Sequence, residues 1–464
     1  MSELAYLGLA EAADLIRARK LSPVEYTQAL LDRTEKLDPR YHAYIKLTPE
    51  RAMEAARRAE REVTAGTPRG PLHGVPYGLK DIIDVAGLPT TGHSKVLIDN
   101  VAAANAVVTE RLEAAGGILM GKLATHEFAI GGPSFDLPWP PAVNPWGGNH
   151  FPGGSSSGSG VALAAGLVPA ALGTDTGGSV RNPASLCGIT GMKPTYGLVS
   201  RRGVFPLAYS LDHVGPMTRD VRDNALLLQV LAGYDAEDPG SANVLIPDYS
   251  ADLERGVKGL RIALVRHFYA EDMQADGEQL QAIDAGAEVL RGLGADVREV
   301  RLAPLSDYST CTRIIICCEA YAIHRHWLAA RPADYGDLAR RRILEGAAFS
   351  AADYIDAQRM RARLTKRTLE ALAGFDAALT ASSMDPTVRI DDAEACLRVY
   401  PRQARQPFNV TGQPALAMPA GFTKDGLPLS LQLVGHPFQE AMVYRIAAAY
   451  ERATGWTRRH PPGL

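Results

Sequence analysis

Three features of the sequence combine residue types and spacing that suit chemistry. Residues 153–160 read Gly-Gly-Ser-Ser-Ser-Gly-Ser-Gly, residues 174–179 read Thr-Asp-Thr-Gly-Gly-Ser, and a lone Lys80 sits between Leu79 and Asp81-Ile82-Ile83. An apolar run, residues 161–173, separates the two small-residue turns, so the stretch is not a flexible linker. Two glycines beside Ser179 let backbone amides converge on one small space, which is what an oxyanion hole requires. Ser179 then reads as a nucleophile or, equally, as a turn-capping serine. Lys80 is either snorkelling from a strand end or held inside for a purpose. Held inside, it would lose part of its basicity to desolvation and could act as a base, with a hydroxyl such as Ser155 relaying the proton from Ser179.

Other chemistries fit less well. His324 and His326 lie beside Trp327 without a third ligand, and there is no HExxH or paired CxxC, so they read as structural and no metal is expected. The glycines at 153–160 precede no lysine, and no GxGxxG opens a helix, so neither a phosphate loop nor a dinucleotide cofactor is expected. Residues 154–158 satisfy G-x-S-x-G around Ser156, but that elbow needs a strand before it, and residues 146–152 are turn-forming. Phe128, Ile130, Phe135 and Trp139, with Tyr209 further on, are candidates for an apolar acyl or aryl pocket, against the alternative that they only pack a proline-rich loop.

The elements that must position these groups alternate between the two periodicities. Residues 8–19 carry Leu9, Ala12, Ala13 and Ile16 at helical spacing, Ser22-Pro23-Val24-Glu25 starts a helix to about residue 37, and residues 49–63 make another. Residues 1–66 thus form a helical preamble. Residues 44–47 and 75–80 read as strands, helix 107–115 feeds a strand at 117–121, and helix 161–166 feeds a strand at 170–173. Later strands are expected at 260–265, 295–300, 375–380, 415–419 and 429–434. Helices are expected at 274–292, through most of 310–373, and at 439–453. The alternation predicts an α/β protein with one large domain, 1–464, and a helical insertion near 305–373.

Composition sets outer bounds. With 464 residues, 46% hydrophobic and 22% charged, the chain is an ordinary globular protein, and its net charge of −3 gives no basic footprint for nucleic acid. The five cysteines show no pairing pattern and read as free thiols of a cytoplasmic protein. No apolar run is long enough to span a membrane.

Residues 153–158 together with Asp175, Gly177, Ser179, Val180, Arg181, Pro183 and Ala184 resemble the amidase signature. The resemblance extends through Gly74-Val75-Pro76, Lys80-Asp81, Asn144-Pro145-Trp146, Lys193-Pro194-Thr195-Tyr196-Gly197, Ser210-Leu211-Asp212 and Thr411-Gly412-Gln413-Pro414. It implies a mixed, mainly parallel sheet sandwiched by helices. It also implies a Ser-cisSer-Lys triad of Ser179, Ser155 and Lys80, and a cis peptide at Gly154-Ser155. The oxyanion hole would come from the amides of Thr176, Gly177, Gly178 and Ser179, with Asp175 and Arg181 as structural ties. The implied reaction is acyl transfer to water with no cofactor.

Because His213 stands where the glutaminase member of the tRNA-dependent amidotransferases usually has Gln, the expectation is a stand-alone hydrolase of aryl or alkyl amides, anilides or carbamates with some esterase activity. Such an enzyme would be a monomer or homodimer without a nucleic-acid partner. The alternatives are the glutaminase subunit of a tRNA-dependent amidotransferase and a catalytically silent member of the fold.

Overall fold

A computed structural model describes residues 2–464. Ser22 caps the helix Pro23–Tyr41 by accepting from the amides of Val24 (3.1 Å) and Glu25 (3.2 Å), as the Ser-Pro start predicts. The helix does not break at Pro39 but runs over it to Tyr41. Asp38 then terminates it, its carboxylate accepting from the Ala43 amide at 2.6 Å, with His42 left-handed between them.

Eleven strands form one mixed sheet: β1 (Tyr44–Leu47), β2 (Pro76–Lys80), β3 (Ile118–Leu123), β4 (Ala170–Asp175), β5 (Thr190–Lys193), β6 (His213–Thr218), β7 (Arg261–Leu264), β8 (Asp296–Glu299), β9 (Ala377–Thr380), β10 (Ala415–Phe422) and β11 (Pro428–Val434). Their order is β1-β3-β2-β4-β6-β5-β10-β11-β9-β7-β8. Parallel pairings gather in two blocks, β3-β2-β4 and β8-β7-β9, joined through antiparallel neighbours. The sequence reading has no strand at β5 or β6. Pro216 and Gly215 inside β6 argue against a strand by propensity, yet Pro216 pairs with Leu172 in the centre of the sheet.

One pairing decides where chemistry can happen. β2 and β4 are parallel with Leu79 opposite Leu172, so both strands deliver their last residues, Lys80 and Asp175, to the same edge of the sheet. Carboxyl ends of neighbouring parallel strands are where α/β sheets open a crevice. The helix Ser157–Ala164, buried along its whole length, bridges β3 and β4 and places Ser155 just before its start. Ala351–Leu372 packs on the long helix Leu305–Ala330, and the latter and the shorter Asp337–Leu344 lie over that crevice. A second apolar cluster holds them there: Phe128, Leu207, Ala320, Leu328, Tyr335 and Ile343. Complete burial of Phe128 alone contributes about 2–3 kcal/mol.

Candidate active site

Lys80 closes β2 with none of its surface exposed. Its ammonium nitrogen donates to Ser155 Oγ and to Thr174 Oγ1, both at 2.7 Å. Among the described residues no carboxylate is within ion-pair distance. Burial therefore pushes its pKa down to about 7, against the opposing pull of Asp175 and Asp212. Lys122 on the neighbouring strand β3 is equally buried but pairs with Asp81 at 2.9 Å. Lys193 is buried as well and donates to the Pro194 carbonyl at 2.9 Å, so of three fully buried lysines only Lys80 touches nothing but hydroxyls.

The Gly154–Ser155 peptide is cis. The His126 ring lies directly over Gly154, so a Cβ there would meet Cε1 at 2.0 Å and only glycine fits. The Ser155 carbonyl accepts from the His126 amide at 3.0 Å, and the Ser156 amide donates to the Ser179 carbonyl at 3.2 Å. These two bonds hold the first turn against the second.

Asp175 organises the second turn. It accepts from the Arg181 guanidinium (2.8 and 2.9 Å), the Asn409 amide group (2.8 Å), and the backbone amides of Gly178 (2.8 Å) and Val180 (3.2 Å). Burial alone would raise its pKa, but Arg181 holds the carboxyl well below the usual carboxylate range. Arg181 in turn donates to Gln432 Oε1 (2.7 Å) on β11, tying the turn to the far strands. One expectation changes here. The Gly178 amide is engaged by Asp175, and Arg405 presses so close that a Cβ on Gly178 would lie 2.4 Å from its Nε. The amides of Thr176, Gly177 and Ser179 have no acceptor among the described residues, and these three residues line the cavity, so only these three of the four expected donors are free. Thr176 Oγ1 donates to Asp212 at 2.6 Å, and Asp212 also accepts from the Leu207 amide, fixing the neighbouring loop.

Ser179 opens onto a cavity of about 490 Å³. Thr176, Gly177, Ile130, Leu207 and Tyr400 line it on the side of the sheet. Ser309, Arg313, Ile316, Arg342 and Glu345 line it from the helical layer. Arg313 pairs with Glu345 at 2.9 Å, whereas Arg342 has no ion-pair or hydrogen-bond partner among the described residues and lies over the Tyr400 ring.

Of the five residues expected to form the pocket, Ile130 alone lines it. Phe128 is buried behind the wall against His324 and Tyr335, and Phe135 is 66% exposed on a surface loop. Trp139 packs edge-on against His93, and the exposed Tyr209 lines a smaller cleft beside Thr174 and Thr176, not the cavity. Phe128 and Trp139 thus serve packing, whereas Phe135 and Tyr209 face solvent. Conversely, Thr174, Tyr400, Arg342 and Glu345 belong to the site without standing out in the sequence. Thr174, just before Asp175 at the end of a strand, offers a faint signal. Arg342 offers none, since Arg340-Arg341-Arg342 reads as a solvated helix face. His324 donates to or accepts from the Tyr335 hydroxyl at 2.9 Å, and the described residues contain no group able to hold a metal ion.

The profile of the Amidase family matches residues 25–444. A glutamyl-tRNA(Gln) amidotransferase subunit from Geobacter metallireducens is 40% identical, covering 98% of each chain. The solved glutamyl-tRNA(Gln) amidotransferase subunit from Thermotoga maritima is 32% identical with a TM-score of 0.82, over 97% of this chain and 95% of that one. A bacterial aryl acylamidase of the amidase signature family has a TM-score of 0.90 at 27% identity, over 98% of both chains. The fold therefore serves both activities and does not choose between them.

The full-length relatives do choose, and they correct two expectations. The stand-alone hydrolase of aryl or alkyl amides, anilides and carbamates gives way to the amidotransferase alternative, and with it goes the expectation of a small-molecule substrate alone and no nucleic acid. Both corrections have physical causes. His213 is a poor discriminator: it sits buried on β6, bonded to the Leu211 carbonyl (2.7 Å) and to Lys193 Nζ (3.2 Å), and does not line the cavity. Net charge describes one chain and is silent about a polyanion held by an assembly.

Proposed function

The chain belongs to the amidase family and is a C–N-cleaving enzyme. On that premise we propose that it is the amide-hydrolysing subunit of an amidotransferase-type assembly. It releases ammonia from a carboxylate-bearing primary amide, with glutamine the first candidate, through an acyl-enzyme on Ser179. The observation that carries the acyl-transfer chemistry is the fully buried Lys80, 2.7 Å from Ser155 and without a carboxylate. The 40% identical amidotransferase relative, matched over its whole length, supports the setting in which ammonia passes to a glutamyl-tRNA acceptor held by partner subunits.

The steps follow from the partners of each group. Near pH 7 a large fraction of Lys80 is neutral; one N–H donates to Thr174 Oγ1, which leaves the lone pair facing Ser155. Ser155 gives its proton to Lys80 and takes that of Ser179, whose Oγ attacks the amide carbon. The developing oxyanion lies against the free amides of Thr176, Gly177 and Ser179. The proton returns through Ser155 to the leaving nitrogen, ammonia departs, and water hydrolyses the ester by the reverse relay. The unpartnered Arg342 offers a guanidinium to the substrate carboxylate.

The test is ammonia release by the purified chain, with any copurifying subunits, from glutamine, 4-carbamoylbutanoate and butanamide. Turnover of a carboxylate-bearing amide above butanamide is expected. Hydrolysis confined to neutral amides, with no copurifying partner, would sink the reading.

A further inference from the structure

The helical wall of the cavity carries one carboxylate, Glu345, three positions after Arg342. Their side chains both line the cavity, as a spacing of three on helical backbone allows. Glu345 is paired not with Arg342 but with Arg313 of the neighbouring helix, at 3.2 Å through Nε and 2.9 Å through Nη2. Both donations fall on Oε2, so Oε1 has no partner among the described residues, and the Arg342 guanidinium stays open. The cavity therefore presents an open cation and an open carboxylate oxygen on one wall, opposite Ser179. No other acid can do this. Asp175 and Asp212 lie behind the catalytic turn with their oxygens taken by Arg181, Asn409, Thr176 and backbone amides.

We infer that Glu345 is a specificity-determining residue that receives the α-ammonium of an amino-acid amide whose α-carboxylate is held by Arg342. The inference rests on the reading that a carboxylate-bearing amide enters this cavity, and adds that the site distinguishes an α-amino acid from the same chain without its amino group. Arg313 is a positioning residue that keeps the two readers apart. No new bond chemistry is involved, since the amide end faces Ser179 as in the proposed reaction.

The experiment compares kcat/KM for glutamine, 4-carbamoylbutanoate and butanamide in the wild-type protein, with any copurified subunits, and in Glu345→Gln and Glu345→Asp. Wild type is expected to prefer glutamine to 4-carbamoylbutanoate by about tenfold or more, the range a charge-assisted hydrogen bond supplies. Glu345→Gln brings that ratio close to one, and Glu345→Asp, which keeps the charge, restores part of it. Glu345 is half-buried at the cavity rim, and matched melting curves confirm that the variants fold. A wild-type ratio near one, or a ratio that Glu345→Gln leaves within twofold of wild type, overturns the role of Glu345. Faster turnover of butanamide than of either carboxylate overturns instead the underlying reading, so the two failures are distinguishable.

Discussion

The two walls of the cavity are built in opposite ways. The sheet wall is buried, and its central charged groups have fixed partners: Lys80 between Ser155 and Thr174, Asp175 among four donors, Arg181 reaching β11. The helical wall is half-exposed, its one ion pair, Arg313–Glu345, has side chains 67% and 40% exposed, and Arg342 has no partner among the described residues. The sheet wall holds reacting atoms in place, where small displacements are costly. In the proposed reaction the helical wall meets the part of the substrate that does not react, and can change its charges without disturbing the turns behind Ser179. Chemistry and selection are thus divided between two separately anchored surfaces.

The sharpest way to break this comparison is to remove the reacting groups. Ser179→Ala, Ser155→Ala and Lys80→Ala are each expected to lower kcat by about 10³-fold or more while the protein stays folded by circular dichroism. Full turnover in folded Ser179→Ala would end the assignment. Asp175→Asn comes next and acts on stability. It leaves Arg181 buried without its counter-charge, a loss of about 3–5 kcal/mol that a urea denaturation midpoint reports; an unchanged midpoint would show the sheet wall to be less interlocked than described. Arg342→Gln is expected to raise KM for glutamine by roughly tenfold or more with kcat little changed. A fall in kcat instead would mean that the helical wall takes part in the chemistry.

The smallest effect concerns pH. Activity needs neutral Lys80, so it falls about tenfold per unit below a midpoint near 7 and flattens above it. The stability consequence has a defined sign. The folded pKa of Lys80 lies below its ordinary 10.5, so the unfolded chain binds more protons between about 7 and 10.5, and stability rises with pH across that window. Lys80→Met removes this contribution, and its melting temperature is expected to climb less between pH 7 and 9 than that of the wild type.

Legibility in the sequence follows the same division. The sheet wall could be read because glycine and serine at fixed positions constrain backbone: 153–160, Asp175 and Ser179 lie where their spacing places them, and β2, β4 and their helices follow from periodicity. β5 and β6 escaped because tertiary pairing overrode the propensities of Gly215 and Pro216. The helical wall was illegible. Arg342 and Glu345 lie in a charged helical stretch whose inward side depends on packing around Phe128 and Tyr335. The exposed aromatics Phe135 and Tyr209 draw notice by type although the backbone turns them elsewhere.

The bond from Arg181 to Gln432, and the position of β10 and β11 between the two blocks of the sheet, bear on how the protein is made. Synthesis is vectorial, and earlier segments can fold while later ones are still inside the ribosome. Here the residues that brace the second turn, Asn409 and Gln432, emerge long after the turn itself. A nascent chain already holding Lys80, Ser155 and Ser179 lacks that brace until β11 has been made, so the second turn is the last part of the crevice to be fixed.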